Sequence, residues 1–233
     1  MIDDALKITD KIIVVDDASS DRTGKVASFK GAKVYSHLIN LGLGGALKTG
    51  FAAVLKNTGG EVRPKVGLRP WVGETEIVVT MDADGQHEID DVLRVIEPLE
   101  KEEVQVVIGS RLALLNSAKR NPAKAGYLIG SMPPFRLLFN HLANLVTFFF
   151  YGLMVSDSQS GLRAFRREAL EKIKLKSLHM EVSSEIIGEI KRNNLTFKEV
   201  PIKAIYTDYS LSKGQNFWLG VKTFWRTLID RLT

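Results

Sequence analysis

The stretch IVVTMDADGQHEIDDV, residues 77–92, begins apolar, turns acidic and ends as a polar helix opening. Its β-branched run is typical of a buried strand, and Asp82 and Asp84 follow at the carboxyl end. Carboxylate and amide oxygens are ligands that Mg²⁺ and Mn²⁺ accept, and Gln86 adds one nearby. A single acid at a strand end more often caps the next helix, but two acids with a glutamine favour a metal site.

Short apolar runs that alternate with helical patterns continue on both sides of this stretch. We expect strands at residues 12–15, 33–36, 77–82 and 104–110. Strands that are buried on both faces and alternate with helices predict an α/β domain with a mainly parallel sheet. The length of 233 residues suits a single domain.

Composition narrows the classes of function. The chain has no cysteine, which excludes a disulfide framework and any thiolate metal site. Its 32 basic and 27 acidic residues give a mild positive balance that fits phosphates, nucleic acid or an acidic membrane surface as partners. Of these we expect phosphates and a membrane surface, and no nucleic acid. The acidic start, MIDDALKITDK, does not resemble a secretory signal.

Three of the predicted strands end in polar groups. The first leads into Asp16 and Asp17, the third into Asp82 and Asp84, and the fourth into Arg111. In open α/β sheets, ligands bind at the carboxyl ends of the strands. We therefore expect the three endings to share one sheet edge and to form one crevice, with two acidic sides and one basic side.

A glycine-bearing stretch, NLGLGGALK at residues 40–48, precedes a predicted helix. Backbone N–H groups at a helix N-terminus favour a phosphate, which makes Gly44 and Lys48 candidates for contacts with a phosphate group. The glycine spacing is not that of a dinucleotide fingerprint or a Walker loop. Close packing of the helix explains the same glycines equally well.

Two apolar segments raise the question of a membrane. Residues 137–155 are long and mostly apolar but carry Asn140, His141 and Asn144, which are costly in a spanning helix. Within 135–155 we therefore expect a buried or interfacial helix. Residues 217–232 have helical spacing and fit either a core or an interface. Residues 57–75 read as a basic loop insertion.

Five motifs occur together in chain order: VVDDASSDRT, NLGLGGALKTG, TMDADGQH, VIGSR and VSDSQSGLRAFRREAL. Over nearly its whole length the chain resembles a family 2 glycosyltransferase of the dolichyl- or polyprenyl-phosphate sugar synthase type. The resemblance implies a GT-A-like, nucleotide-sugar-binding α/β fold with amphipathic helices at the membrane interface. It also implies Mg²⁺ or Mn²⁺ on the Asp-x-Asp carboxylates, a GDP-mannose or UDP-sugar donor and a lipid phosphate acceptor. The enzyme would lie peripherally on the cytoplasmic face of a membrane.

Matching the motifs by position implies roles for individual residues. The expected metal ligands are Asp82, Asp84 and Gln86. The expected contacts of the nucleotide sugar are Asp16, Asp17, Gly44, Lys48, Asp82, Ala83 and Asp84. The expected contacts of the acceptor phosphate are Arg111, Arg136, Gln159, Arg163, Ser212 and Lys213, with Arg120 as the alternative to Arg136. Asp157, Arg111 and Arg136 would be catalytic, with Asp157 orienting the acceptor or balancing the arginines.

The chain departs from the family pattern at its start. Members normally begin with a strand that ends in a Pro-x-Tyr-Asn-Glu-like motif, and no such motif precedes MIDDALKITDK. Residues 1–233 therefore read as one catalytic domain that lacks the usual first strand. The alternative function is that of a truncated, inactive homologue that binds a nucleotide sugar or acts as a scaffold.

Overall fold

The computed structural model describes residues 1–56, 77–113, 134–203 and 205. The helices are α1 (Ile2–Ala5), α2 (Thr23–Phe29), α3 (Gly42–Lys56), α4 (Ile89–Glu100), α5 (Pro134–Tyr151), α6 (Arg167–Lys172) and α7 (Val182–Arg192). The strands are β1 (Ile13–Asp16), β2 (Lys33–Ser36), β3 (Ile77–Thr80), β4 (Val106–Ser110), β5 (Arg163–Arg166) and β6 (Phe197–Pro201). The expected features at 57–75 and 217–232, together with Arg120, Ser212 and Lys213, lie outside the described residues.

The described strands form two sheets. β1 and β2 pair in parallel, and the larger sheet has the order β3-β5-β4-β6. In the larger sheet β3, β4 and β6 share one direction, and β5 runs against them between β3 and β4. The predicted α/β fold with a mostly parallel sheet is confirmed, with one antiparallel strand that the alternating pattern did not reveal.

The core lies on both faces of the larger sheet, around β4. Every residue of β4 is buried, as expected for a strand covered on two sides. Val106 and Ile108 belong to the layer that α3 and α7 cover, and Val107 belongs to the layer that α4 covers. Successive side chains of a strand point to opposite faces, so this β-branched run serves both layers.

α3 connects the two sheets. It packs against β1 and also contacts α6 and α7 beside the larger sheet. Among the described strands, β2 is the only partner of β1, and β5 is the only partner of β3. The absence of the usual first strand from this chain stays a prediction.

α5 has a polar inner side and an apolar outer side. Asn140 and Thr147 are buried, and the hydroxyl of Thr147 hydrogen-bonds with that of Ser184 on α7 at 2.7 Å. On the outer side Leu145 is 60% exposed and Phe149 is 80% exposed. None of the helices in the described ranges combines the length and the apolar character that crossing a bilayer requires.

Candidate active site

One edge of the larger sheet gathers the polar groups that follow β3 and β4. Asp82 comes after the carboxyl end of β3, and Arg111 comes directly after β4. Because β5 runs in the opposite direction, it begins at this same edge, and the segment that precedes β5 ends there. Thr80 lies opposite Arg163, and Thr80 Oγ1 donates to the Gly161 carbonyl at 3.1 Å. Three chain segments therefore surround one site.

The third of the predicted polar endings, at β1, does not belong to this sheet. Asp16 ends β1, which pairs with β2 in the smaller sheet. The prediction that all three strand endings share one sheet is therefore wrong for β1. Asp16 Oδ1 accepts a hydrogen bond from the backbone of Ser19 at 3.0 Å, and its carboxylate lies against Gly24 at the start of α2.

Asp82 lies against the backbone of Gly161, where a Cβ would overlap its carboxylate. Burial raises the pKa of Asp82, as does the charge of Asp84, while His87 and the arginines at 111 and 163 lower it. Within the described residues its carboxylate accepts no hydrogen bond. A partly buried carboxylate without a donor is stabilised by a nearby cation.

The turn after Asp82 presents the second carboxylate. Asp84 Oδ1 accepts a hydrogen bond from the backbone N–H of Gln86 at 3.0 Å, and the glycine between them has φ +78°. Glycine adopts this left-handed conformation without strain. Ala83, between the two acids, is exposed. The acids are thus held in a tight turn at the site edge.

The side chains of Asp82, Asp84 and Gln86 fit a divalent cation that binds together with the phosphates of a substrate. In the described ranges no three His, Asp or Glu side chains form a cluster that could hold a metal ion by themselves. Mg²⁺ is commonly bound by one or two carboxylates together with substrate phosphates and water. Asp82 and Asp84, with the amide of Gln86, would supply the protein's share. His87 Nδ1 is buried nearby without a hydrogen-bond partner among the described residues.

Arg111 and Asp157 form a bidentate ion pair. The guanidinium of Arg111 donates from Nε to Oδ2 of Asp157 at 2.8 Å and from Nη2 to Oδ1 at 2.9 Å. The backbone N–H of Arg111 also donates to Oδ2 at 3.0 Å. Asp157 is 0% exposed, whereas Arg111 is 18% exposed. The two parallel bonds fix the plane of a guanidinium that still reaches solvent.

Arg163 lies beneath this pair. It is 2% exposed, and its NH2 group donates to the carbonyls of Ser158 at 2.7 Å and Ser183 at 3.1 Å. Burial lowers the pKa of Arg163 to about 10, although the charges of Asp157 and Asp82 oppose that shift. From this buried position the positive charge of Arg163 acts on the carboxylates of Asp157 and Asp82.

Two further predicted acceptor contacts lie within the described residues. Arg136 is in the first turn of α5 and is partly buried, and Gln159 is partly buried and donates to the hydroxyl of Ser158 at 3.3 Å. Their roles at the acceptor stay predictions.

The N-terminus of α3 is already capped. Asp17 accepts hydrogen bonds from the backbone of Leu41 at 2.8 Å and Gly42 at 2.7 Å. Burial alone would raise the pKa of Asp17, but these bonds and one from His37 outweigh burial and lower the pKa. The prediction that this terminus offers free amides to a phosphate is therefore wrong for the amides that Asp17 caps.

The segment 177–179 covers the next turn of α3. Its Leu178 carbonyl accepts from the Gly45 amide at 3.1 Å, and a Cβ on Gly44 would come within 2.8 Å of the Leu178 carbonyl carbon. Lys48 Nζ donates to the Lys176 carbonyl. Close packing accounts for Gly44 here, and the contact of Gly44 and Lys48 with a donor stays a prediction.

The family model described as Glycosyl transferase family 2 matches residues 1–174. This chain belongs to glycosyltransferase family 2. The match includes the Asp82 turn, Arg111, Asp157 and Arg163, so the family assignment and the site rest on the same part of the chain.

Two relatives of this family 2 chain match it over nearly its whole length. It is 40% identical over 223 residues to an uncharacterised protein of Methanocaldococcus jannaschii, covering 95% of this chain and 81% of that protein. It is 35% identical over 242 residues to the UDP-N-acetylglucosamine–dolichyl-phosphate N-acetylglucosaminyltransferase of Methanococcus voltae, covering 96% of this chain and 86% of that protein.

The fold of this family 2 chain also resembles that of a solved glycosyltransferase. The crystal structure of glucosyl-3-phosphoglycerate synthase from Mycobacterium tuberculosis, in complex with Mn²⁺, UDP and glucosyl-3-phosphoglycerate, superposes with a TM-score of 0.61. The identity is 21%, and the match covers 99% of this chain and 73% of that chain. At this identity the likeness concerns the fold.

Sequence reasoning missed some polar residues that surround the site of this family 2 chain. Asn144 on α5 and Glu199 on β6 both hydrogen-bond to the segment that carries Asp157. The sequence signal that could have found Asn144 was the energetic cost of burying its side-chain amide within the apolar run 137–155. Nothing in the spacing showed which loop would satisfy that amide.

Proposed function

We propose that this chain transfers a hexose from GDP-mannose or a UDP-sugar to a dolichyl or polyprenyl phosphate. The observation that carries the proposal is that one segment, residues 157–161, contacts both groups: Asp157 pairs with Arg111, and Gly161 lies against the Asp82 carboxylate, which has no hydrogen-bond donor among the described residues. The carboxylate suits a cation that is bound to the donor diphosphate. The guanidinium suits the phosphate of the acceptor.

On the donor side, breaking the bond to the sugar places negative charge on the departing nucleoside diphosphate. Asp82 and Asp84, with Gln86, would hold Mg²⁺ or Mn²⁺, which supplies a fixed positive charge to that diphosphate when bound. Asp16, Asp17, Gly44, Lys48 and Ala83 remain proposed contacts of the nucleotide sugar.

On the acceptor side, a phosphate monoester has a second pKa of about 6, so it is an anion at neutral pH and needs no strong general base. Arg111 and Arg136 would orient its oxygens toward the anomeric carbon. Asp157 would balance and aim Arg111. Because Arg163 is buried against two carbonyls, we propose that it acts mainly through its charge.

The outer side of α5 supports a lipid acceptor. Leu138, Leu142, Leu145 and Phe149 are all exposed and recur at spacings of four, three and four residues, which places them on one helix face. We propose that this face lies in the headgroup region of a membrane, on the cytoplasmic side where nucleotide sugars are made. The name of the Methanococcus voltae relative also supports a dolichyl phosphate acceptor.

The test is a transfer assay. Purified protein is incubated with a radiolabelled nucleotide sugar, a polyprenyl phosphate and Mn²⁺ or Mg²⁺, and label is counted in the organic phase. UDP-N-acetylglucosamine is the first donor to try, because the relative at 35% identity is named for it. We expect transfer that stops with EDTA and with Asp84→Asn, while the exposed Asp90→Asn keeps its activity.

The alternative, an inactive binding module, has a distinct outcome in the same assay. A protein that binds a nucleotide sugar in calorimetry but transfers none of the tested sugars to any polyprenyl phosphate would contradict the proposed function and support that alternative.

A further inference from the structure

Asn144 hydrogen-bonds to the backbone on both sides of Asp157. Its Nδ2 donates to the Ser156 carbonyl at 2.6 Å, and its Oδ1 accepts from the Ser158 amide at 2.8 Å. Residues 156–158 belong to no strand or helix. One side chain from α5 therefore supplies hydrogen bonds that a strand would otherwise obtain from a neighbouring strand.

The same segment is held from two other sides. Glu199 on β6 accepts from the Ser156 amide at 2.7 Å and from its hydroxyl at 2.8 Å. The hydroxyl of Ser110 lies 2.6 Å from that of Ser156 and accepts from the Ala113 amide at 2.8 Å. The network thus joins the Asp157 segment to the residues on both sides of Arg111.

We propose that Asn144 is a positioning residue for sugar transfer, acting through Asp157 to aim the Arg111 guanidinium at the acceptor phosphate. The inference rests on the function proposed above. Asp157 is completely buried, so its carboxylate can follow only where its backbone is placed. A bidentate carboxylate–guanidinium pair tolerates little misalignment, and a shift of this backbone would therefore turn the guanidinium.

The position of Asn144 on α5 adds a functional consequence. At about 100° per residue, Asn140, Asn144 and Thr147 share one side of the helix, and Leu138, Leu142, Leu145 and Phe149 share the opposite side. The helix face proposed to meet lipid is therefore rigidly connected, across one helix diameter, to the segment that carries Asp157. Binding of α5 to a bilayer would hold the proposed acceptor site at a fixed distance from the membrane surface.

Thr147→Val is the matched control for Asn144→Ala. Thr147 is buried on the same side of the same helix, and its hydroxyl bonds Ala143 and Ser184 instead of the Asp157 segment. Both variants lose hydrogen bonds of α5, but only Asn144→Ala removes bonds to residues 156–158. A purely structural role for Asn144 would make the two variants behave alike.

The first measurement does not depend on activity. In ¹⁵N-labelled protein, the Arg111 Nε–H that is bonded to Asp157 should give a side-chain resonance with slow solvent exchange. We expect that exchange to accelerate about tenfold or more in Asn144→Ala, in line with the loss of two hydrogen bonds, and to stay unchanged in Thr147→Val. Unchanged exchange in both variants would overturn the inference.

The second measurement is steady-state transfer to polyprenyl phosphate. Asn144→Ala should lower kcat/KM for the acceptor about tenfold or more, with the affinity for the nucleotide sugar unchanged. In an Arg111→Lys background the same change should have little further effect, because residues that act as a unit are not additive. Equal losses in both backgrounds, or equal losses in Thr147→Val, would overturn a positioning role.

The two proposals fail separately. If the wild-type chain transfers no sugar, the proposed function fails, and the Arg111 Nε–H exchange alone then decides whether Asn144 positions Arg111.

Discussion

The carboxylate of Asp82 rests on the α-carbon of Gly161, so that any side chain at position 161 would displace it. The contact joins the turn after β3 to the segment before β5, and it places an acid of the proposed metal site next to the Asp157 segment. Any residue other than glycine at 161 would therefore disturb the proposed donor and acceptor sites together.

Gly161→Ala should abolish most of the activity. The added methyl group overlaps the Asp82 carboxylate, and we expect Mn²⁺ affinity in the presence of donor to fall about tenfold or more, because one of two carboxylate ligands is moved. Isothermal titration with Mn²⁺ and a UDP-sugar measures this. Gly50→Ala is the control, since its Cβ would make an ordinary contact with Val15 at 3.7 Å. Normal Mn²⁺ binding by Gly161→Ala would contradict the assignment of Asp82 as a ligand.

Asp157→Asn should lower both the turnover in sugar transfer and the free energy of unfolding. It removes the counter-charge that Asp157 supplies to Arg111 at a buried contact, and loss of one partner of a buried pair costs about 3–5 kcal/mol. Urea denaturation measures the stability, and the transfer assay measures the turnover. Glu171→Gln, which removes an exposed partner of Arg167, should change neither by more than a small amount. Full turnover by Asp157→Asn would exclude Asp157 from catalysis.

Asp17 should make stability depend on pH in the acid range. Its pKa is lowered in the folded chain, because its hydrogen bonds outweigh burial, so its contribution is complete above its unfolded pKa of about 3.9 and is lost as the pH falls through the folded value. Because hydrogen bonds to a charged acceptor are worth more than those to a neutral one, Asp17→Asn should cost about 1–2 kcal/mol at neutral pH and progressively less below a pH of about 4. Denaturation at several pH values tests this, with the exposed Asp10→Asn as control. A cost that does not change with pH would show that the charge of Asp17 is unimportant.

Gly188→Ala should destabilise the packing of α5 on α7. A Cβ at position 188 would overlap the ring of Tyr151, and overpacking of this kind costs about 1–3 kcal/mol. The free energy of unfolding in urea measures the loss. Adding Tyr151→Leu to the same chain should recover part of the stability, because it removes the ring. If the double variant is less stable than Gly188→Ala alone, the ring is not the source of the strain.

Leu145→Glu should weaken the proposed binding of α5 to membranes. Burying one leucine is worth about 1.5–3 kcal/mol, so vesicle affinity should fall about tenfold or more while the free energy of unfolding stays nearly constant. Cosedimentation with phospholipid vesicles measures the affinity. Leu178→Glu changes another exposed leucine and should leave binding intact. Equal loss in both variants would mean that α5 is not the membrane-facing element.

The sequence predicted the parts of the fold that depend on local pattern. The run KVYS coincides with β2, and the β-branched runs before Asp82 and Arg111 form β3 and β4. β5 was not predicted, because four residues with arginine at both ends carry no strand pattern of their own. They become a strand by pairing with β3 and β4 on either side.

The location of a candidate site residue was predictable where it sits next to a strand end, as for Asp82, Asp84 and Arg111. It was not predictable where a distant side chain completes a loop. Asn144 and Glu199 reach residues 156–158 from α5 and from β6, and only the packed fold shows that they meet. The amides at the start of α3 are a similar case, since their cap, Asp17, comes from the end of another strand.

The separation of the two sheets predicts which strands become accessible first by partial unfolding. No residue of β1 or β2 is fully buried, whereas every residue of β4 is, and α3 links the smaller sheet to the rest. Amide protons of β1 and β2 should therefore exchange with deuterium through partial unfolding well before those of β4. A nucleotide sugar held by the proposed contacts Asp16 and Asp17 would slow that exchange, so protection of β1 would report donor binding even when no product forms.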